Sequence, residues 1–382
     1  MLVLLITGLI SFQNIHLGVK HFWGGNYTYY NNYVIYKTSF SHLAEGKNLY
    51  DYYHEYADLF KYSPTFAALM APFAALPDAA GLLLWNLVNI FVLFFAILSL
   101  PKLTDKNRLL FILFILPEFI LATQNSQANT LLAGLTVLVF GMFEKNKPQY
   151  ATLFIVLGGF IKIFSFASCL LLLLYPKKIK SIAYLICWGI ILALLPLLVT
   201  SPAGLVQQYQ NWWELLKADH SVSTGMSIYA FSSFIFPVHI NKLVMICTGI
   251  ILLLLPLVFV QKFKAYPFRI SFLALLLLWV VIFNHKAESP SYIIAMSGIA
   301  CWIFLTKSSR AKIILAVFAF FFTSLWAMLH PANAEYSNLI YSKSFMSVIL
   351  FFVILFTLSR LQPEESSTDE NTTHLSERTP LL

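Results

Sequence analysis

Charged residues are scarce in this chain. Only 11% of its 382 residues are Asp, Glu, Lys or Arg and 59% are hydrophobic, whereas a soluble domain carries about 25% charged residues. The mean hydropathy is +0.75. The long Leu/Ile/Phe runs show no strand alternation, and backbone groups in lipid must be paired within a helix or a closed barrel. The sequence therefore predicts an all-α polytopic membrane protein.

Motifs for metals, nucleotides and redox chemistry are also lacking. The chain has no P-loop, no dinucleotide fingerprint and no HExxH, so ATP-driven transport and zinc proteolysis have no support. Four cysteines occur, all inside apolar runs and without metal-ligand spacing, which favours structural thiols: Cys169, Cys187, Cys247 and Cys301. The outer loops contain no Asp-x-Asp pair. We expect neither a metal nor another cofactor.

The net charge of +8 comes from basic residues between apolar runs, which indicates membrane topology and not binding to nucleic acid. The basic clusters alternate with loops that carry few basic residues, so the former are predicted to be cytoplasmic. About ten crossings result, with both termini in the cytoplasm. They are predicted near Leu2–Gly18, Ala79–Leu100, Leu109–Thr123, Ala128–Phe143, Ile182–Val199, Leu243–Val260, Ile270–Phe283, Tyr292–Thr306, Ile313–Leu329 and Phe345–Leu358.

Three apolar stretches do not fit as crossings. Ser63–Pro77 and Ser227–Pro237 are short and bounded by Pro, which suits interfacial or re-entrant segments on the outer side. Ala151–Tyr175 has basic clusters on both sides, and Gly158-Gly159 followed by Lys162 predicts two short helices in a hairpin.

Two regions differ in composition. Residues 1–360 form the predicted membrane domain, and residues 361–382 form an acidic, Ser/Thr-rich segment without periodicity, predicted to be a disordered cytoplasmic tail. The run Leu2–Leu17 lacks a basic region and a small-residue cleavage site, so it is predicted to be an uncleaved first span.

A long polar loop, Tyr27–Pro77, separates the first two crossings and is rich in Tyr. It also holds four acids, Glu45, Asp51, Glu55 and Asp58. One interpretation is an amphipathic interfacial helix whose acids face water. The other is a sugar-binding cleft, in which carboxylates take a hydroxyl proton and flat rings contact sugar faces.

A second polar cluster lies in the outer loop Phe283–Tyr292, FNHKAESPSY. His285 and Lys286 can donate charge-assisted hydrogen bonds to a phosphate, and Glu288 can orient a partner or act as a base. The alternative is an ordinary polar turn.

Two charged residues fall within apolar segments. Insertion of a Lys side chain such as that of Lys162 into the hydrocarbon region costs about 2.5–3.5 kcal/mol. The side chain therefore either faces a cavity, forms an ion pair, or extends to the membrane interface. Glu118, just after Pro117, has no partner that the sequence identifies.

Two other segments have ordinary interpretations. Trp212-Trp213 is typical of an interfacial anchor. Thr123–Asn129 is typical of a polar turn, although its amides could also face sugar hydroxyls.

The order of several short motifs resembles the GT-C glycosyltransferases, in particular glycosyltransferase family 87, the polyprenol-phosphate-mannose-dependent mannosyltransferase-like group. The pieces that carry the resemblance are Asn32-Tyr33-x-x-Tyr36, Leu49-Tyr50-Asp51, Lys61-Tyr62-Ser63-Pro64-Thr65-Phe66, Trp85-Asn86-Leu87-x-Asn89, Gln124–Asn129, Gly158-x-x-x-Lys162 and Asn284-His285-Lys286-Ala287-Glu288. The resemblance implies a GT-C-like bundle that transfers a hexosyl residue, of the mannosyl type, from a polyprenyl-phosphate donor to a glycan or glycolipid hydroxyl. It places the active site on the extracytoplasmic side of the plasma membrane and implies inversion at the anomeric carbon.

Site residues follow from the same resemblance. His285, Lys286 and Lys162 are expected at the donor phosphate. The expected substrate-binding residues are Tyr33, Tyr36, Tyr62, Gln124, Asn125 and Gln127. The family's first-loop motif opens with an acid that is thought to be the general base, whereas this chain has Asn32, and an amide cannot accept the proton. Asp51 and Glu288 are the predicted replacements.

Two other functions stay open at this point. A transporter or lipid flippase fits a polytopic chain with a broken hairpin, although a second broken segment in the position of an inverted repeat is lacking. A catalytically inactive GT-C homologue fits the Asn at position 32.

Overall fold

The computed structural model describes residues 1–22, 25–219, 225–235, 241–329 and 336–362. Part of the predicted tail, from residue 363 onwards, the residues 220–224 and 330–335 of loops predicted to be on the outer side, and Pro237 lie outside the described residues.

Helices dominate the described chain. The N-terminal half contains α1 Leu2–His16, α2 Asn31–Ala44, α3 Pro64–Leu69, α4 Ala71–Ala74, α5 Asp78–Ser99, α6 Asp105–Gln124, α7 Asn129–Glu144, α8 Pro148–Ile161 and α9 Lys178–Leu194. The rest contains α10 Pro202–Asp219, α11 Ile228–Ile235, α12 Lys242–Leu254, α13 Tyr266–Ile282, α14 Tyr292–Leu305, α15 Arg310–Ala319, α16 Trp326–Leu329 and α17 Tyr336–Arg360. Short 3₁₀ helices cover Ile163–Leu174, Leu195–Leu198, Leu255–Val258, Val260–Lys264 and Ser289–Ser291, and a π-helix covers Phe320–Leu325. Each of the ten apolar stretches predicted as crossings contains a helix.

Four described helices are long and apolar enough to cross a membrane by themselves: Asp78–Ser99, Asp105–Gln124, Lys178–Leu198 and Ser342–Arg360. Seven further apolar helices have 10–17 residues, which is shorter than the roughly 20 residues that a full crossing needs. The chain is thus an all-α membrane protein, and the number of about ten crossings stays a prediction.

A small β-hairpin is the departure from the helical pattern. Strands β1 Val19–Phe22 and β2 Gly25–Thr28 pair antiparallel, with Val19 opposite Thr28. Four-residue strands contain too few side chains to show alternation in the sequence, which explains why the pattern does not predict them.

The centre of the bundle is formed by α7, α13 and α14, whose side chains are buried almost all round. A helix that is apolar on every side belongs in a core or in lipid. α1 is integrated into this bundle, since Asn14 donates to the Gln124 carbonyl at 2.9 Å and Asn86 of α5 donates to Ser11 at 2.9 Å.

The hairpin predicted for Ala151–Tyr175 is present. α8 ends at Ile161, Lys162 adopts an extended conformation, and the 3₁₀ helix then returns along α8. At Gly159 a Cβ would lie 2.4 Å from the Phe166 ring, so only glycine allows this close approach. The returning end meets the end of α7, just before α8 begins, because Tyr175 donates to Glu144 at 2.6 Å.

Close packing of α5 on α7 yields a testable expectation for stability. A Cβ on Gly134 would lie 2.8 Å from the Leu93 Cα and N atoms, and backbone atoms cannot rotate away. Gly134→Ala gains about 1 kcal/mol of helix propensity but overpacks the contact, which costs about 1–3 kcal/mol. We expect a lower thermal unfolding temperature in detergent. The matched control is Gly189→Ala in α9, where nothing lies within 4 Å of the added Cβ; an equal effect of both substitutions contradicts the packing argument.

Candidate active site

A cavity of about 1010 Å³ is lined by the long first loop, the turn after α6, the break after α8, helix α10 and the loop between α13 and α14. It brings together residues far apart in the sequence. Seven of the predicted site residues line it: Asn32, Tyr62, Gln127, Lys162, His285, Lys286 and Glu288.

A chain of hydrogen bonds connects two charged residues that line the cavity, Lys162 and Glu288. The Lys162 ammonium donates to Asn129 Oδ1 at 2.9 Å, and the Asn129 amide donates to Gln127 Oε1. Gln127 Nε2 then donates to Glu288 Oε2 at 2.6 Å. A cation and a carboxylate from distant segments are therefore linked through two amides, which fixes the orientation of each.

Hydrogen bonds to side chains of α5 fix the turn that carries Gln127. Ser126 adopts a left-handed conformation with φ +52, and its carbonyl accepts a hydrogen bond from Trp85 Nε1 at 2.9 Å. The start of α7 is held by Asn89, whose Oδ1 accepts from the Leu131 N–H at 3.1 Å. Both partners come from α5, so this helix positions the amides of the network.

The loop between α13 and α14 has its own supports. Asn284 Oδ1 accepts from the Lys286 N–H at 2.9 Å, and Ser291 Oγ accepts from the Glu288 N–H at 3.1 Å. Gly225, with φ +55, lies against this loop, and a Cβ there would be 2.4 Å from the His285 carbonyl oxygen. The Met226 N–H donates to the Ala287 carbonyl at 2.6 Å. The three polar side chains of the loop thus lie on a fixed backbone.

Tyr62 contributes a phenol to the cavity wall. Its hydroxyl is hydrogen-bonded to that of Tyr36 at 2.7 Å, and the Lys162 ammonium lies 5.9 Å from the centre of the Tyr62 ring. Burial raises the pKa of Tyr62 and of Tyr36 well above the ordinary range. Both hydroxyls stay protonated at neutral pH, so they can donate hydrogen bonds but cannot act as bases.

Five predicted site residues do not line the cavity. Tyr33 and Tyr36 are buried, and the Tyr33 hydroxyl donates to the Phe73 carbonyl at 3.4 Å. Gln124 is exposed. Asn125 acts through its backbone, since its carbonyl accepts a hydrogen bond from the Asn32 amide at 2.9 Å. Of these four residues, Asn125 and Tyr36 form hydrogen bonds to residues that line the cavity, Asn32 and Tyr62.

Asp51 is the fifth, and it is exposed outside the cavity. The turn before it is held by Gln208 of α10, which accepts from the Leu49 N–H at 3.1 Å and donates to the Lys47 carbonyl at 2.7 Å. The Asp51 carboxylate accepts from Asn48 at 2.6 Å. The sequence could not indicate this orientation because it depends on a contact with a helix about 160 residues away.

Asp58 lines the cavity instead. Ala57 before it has φ +49, and the surrounding turn is held by Tyr27, which donates to the Ala57 carbonyl at 2.8 Å, and by Asn31, which donates to the Tyr56 carbonyl at 2.8 Å. Asp58 Oδ1 accepts from the N–H of the next residue at 2.7 Å. Within the described ranges its carboxylate forms no ion pair, so it is available to a ligand.

Sequence reasoning missed several other lining residues, all on elements whose position depends on tertiary contacts: Lys61, Trp212, Trp213 and Lys217. The sequence predicts the Trp pair within α10 to be an interfacial anchor, and nothing in the sequence indicates that α10 packs beside the first loop. Lys217 lies 5.2 Å from the centre of the Trp213 ring.

The cavity has a surplus of positive charge. Among the described residues that line it, four are lysines and two are carboxylates, Asp58 and Glu288. Such a wall favours an anionic ligand. The described residues contain no group of three or more His, Cys, Asp or Glu side chains that could hold a metal ion, and the expectation that no cofactor is used stays a prediction.

Comparison with known proteins identifies the family. The family model of glycosyltransferase family 87 matches residues 60–308, a stretch that includes Tyr62, Gln127, Lys162 and the His285–Glu288 cluster and begins after Asn32 and Asp58. A search of curated proteins finds no significant match. The resemblance predicted from the motifs is confirmed by the family match. The chain belongs to glycosyltransferase family 87.

Proposed function

We propose that the protein transfers a hexosyl residue, of the mannosyl type, from a polyprenyl-phosphate donor to a hydroxyl of a glycan or glycolipid acceptor on the outer face of the plasma membrane. The observation that supports this most directly is a cavity that gathers charged and amide side chains from five distant segments of a glycosyltransferase family 87 chain. Membership of this family favours a glycosyltransferase over a transporter or flippase.

The charge of the cavity supports a lipid-phosphate donor. A sugar linked to a prenyl phosphate is a phosphodiester with one negative charge, and the departing phosphate monoester approaches two. The lysines exceed the carboxylates of the lining by two, so the wall matches the charge that develops during transfer. We assign the donor phosphate to Lys286 and His285, with Lys162 at the cavity floor. Apolar side chains at the same cavity, Ile163, Phe164 and Ile246, offer a path for the prenyl chain.

We propose Asp58 as the general base in place of Asp51 and Glu288, because Asp58 lines the cavity whereas Asp51 does not. In the proposed reaction the acceptor oxygen bonds to the anomeric carbon while its proton passes to the Asp58 carboxylate. The bond between the anomeric carbon and the phosphate oxygen breaks, and its electron pair leaves with the lipid phosphate. Asn32, at the same wall, is proposed to hold the acceptor hydroxyl through its amide.

Glu288 is proposed to have a different role. Its carboxylate already accepts a hydrogen bond from Gln127 at 2.6 Å, and that network ends at the Lys162 cation. A carboxylate with one oxygen occupied can accept a sugar hydroxyl with the other. We therefore assign Glu288 and Gln127 to the orientation of the transferred sugar.

The first test is transfer from a lipid donor by the purified protein in nanodiscs. Incubation with radiolabelled polyprenyl-phosphate sugars and a membrane-lipid extract is expected to yield labelled products. His285→Ala is expected to lower the rate by about 10²–10³-fold, because it removes a donor from the developing phosphate charge.

His54→Ala serves as the matched control, since His54 is an exposed histidine in the first outer loop that does not line the cavity. It is expected to retain full transfer. A folded protein that neither uses nor binds any lipid-linked sugar contradicts the proposed function and favours a transporter or an inactive homologue.

A further inference from the structure

A buried ion pair lies outside the cavity. Glu118 of α6 and Lys343 of α17 are 1% and 0% exposed, and the Lys343 ammonium donates to both carboxylate oxygens, at 2.7 and 2.9 Å. Neither residue lines the cavity. Opposite charges buried this deeply are costly to desolvate and often do not increase stability over an apolar pair. The contacts of the two residues point to a role other than stability.

One connection runs from Glu118 along α6. This helix ends at Gln124, about two turns beyond Glu118, and continues directly into the turn that carries Gln127. Gln127 donates to Glu288 at 2.6 Å, so the position of that amide depends on α6 as well as on the contacts that α5 makes with the turn. A displacement of α6 moves the donor away from the Glu288 carboxylate.

A second connection runs from Lys343 through its neighbour on α17. Ser344 Oγ lies 2.9 Å from the Tyr292 hydroxyl, which itself donates to the Met226 carbonyl at 2.9 Å. A phenol has a single proton, so Ser344 is the donor of the first bond. The Met226 N–H in turn donates to the carbonyl of Ala287, the residue before Glu288. The Lys343 ammonium also lies 5.4 Å from the centre of the Tyr292 ring.

Both connections end at Glu288. One reaches its side chain through Gln127, and the other reaches its backbone through Ala287. The ion pair joins the two helices from which these connections start.

We propose that Glu118 and Lys343 are positioning residues for Glu288, a role that rests on the proposed function. The pair holds α6 and α17 in the relation that brings Gln127 and the Ala287 carbonyl to their partners. It contacts no substrate.

The test replaces both charges by apolar side chains of similar length, Glu118→Met with Lys343→Met. Removal of both partners leaves no unpaired buried charge, so the chain is expected to fold. We expect kcat/KM for transfer in nanodiscs to fall by about 10- to 100-fold, the range for a small misplacement of a site residue.

A double-mutant cycle with Gln127→Leu separates positioning from general structural damage. Substitutions at independent sites combine additively. If the pair acts through Gln127, the combined variant loses less than the product of the two separate losses. If the loss in the combined variant instead equals the product of the two separate losses, the proposal is overturned.

Hydrogen exchange supplies a readout that does not need activity. In the double-Met protein, the backbone amides of residues 284–291 are expected to exchange faster than in the unmodified protein. The control is Glu144→Gln with Arg269→Gln, which removes an ion pair of 2.6 Å at the end of α7 remote from Asn129, and it is expected to leave this loop unchanged. Unchanged exchange of the loop in the double-Met protein overturns the positioning role, whereas an unmodified protein that transfers no sugar overturns only the proposed function.

Discussion

Asp58→Asn is expected to lower sugar transfer by about 10²–10⁴-fold, the contribution of a general base. The substitution preserves the size of the side chain and the oxygen that accepts the N–H of the next residue, so the turn keeps its conformation. What it removes is the capacity to take the acceptor proton. The measurement is the rate of transfer in nanodiscs at saturating donor. The donor KM is expected to stay within a few-fold of that of the unmodified protein, because the donor phosphate contacts other residues.

Two further carboxylates of the first loop serve as comparisons. Asp51→Asn tests the interpretation that the sequence favours, and Glu45→Gln removes an exposed carboxylate paired with Lys47. Both are expected to leave transfer nearly unchanged, since neither residue lines the cavity. A loss with Asp51→Asn and none with Asp58→Asn contradicts the assignment of the base.

Asn32 offers a sharper version of this experiment. It lies at the same cavity as Asp58, and it occupies the position where the family resemblance places an acid. We expect Asn32→Asp to restore part of the transfer that Asp58→Asn removes. Restoration shows that the lost function is proton acceptance and not the shape of the turn.

The sequence was sufficient to predict the helical class and several of the loops that line the cavity. Hydropathy runs located a helix at every predicted span, and the Gly158-Gly159 pair located the break before Lys162, because these signals are local. The directions of side chains within the first loop were not predictable. Four acids occur there at similar spacing, and contacts with Gln208, Tyr27 and Asn31 decide that Asp51 faces away while Asp58 faces the cavity.

The sequence was also insufficient to predict which side chains on distant helices contact each other. Glu118 stands out as a charge within an apolar run, but its partner lies 225 positions later in the chain. Several Lys residues are compatible with the pattern, and only the fold, which brings Lys343 of α17 to Glu118 of α6, selects Lys343. The same holds for Lys162, whose link to Glu288 passes through two amides of a turn that reads as ordinary.

Loss of the Lys162 charge is the second large effect that we expect. Lys162 lines the cavity, and its ammonium donates a hydrogen bond to Asn129 Oδ1 at 2.9 Å. Removal of one preorganised donor from a developing negative charge typically costs about 10²–10³-fold in rate. We expect Lys162→Met to reduce kcat by this factor, measured as transfer in nanodiscs at saturating donor.

The paired variant Lys162→Gln separates charge from structure. A glutamine amide can still donate to the Asn129 oxygen, so it preserves the hydrogen-bond chain to Glu288 while it removes the positive charge. If Lys162 acts on the phosphate, Gln and Met reduce transfer alike. If Lys162 only orders the amides, Gln restores transfer and Met does not, and that outcome contradicts its assignment to the donor phosphate. The position of Lys162 at a helix break, where it is half-buried and lines the cavity, favours the first result, because an ordering role alone needs a donor but not a charge that is costly to desolvate.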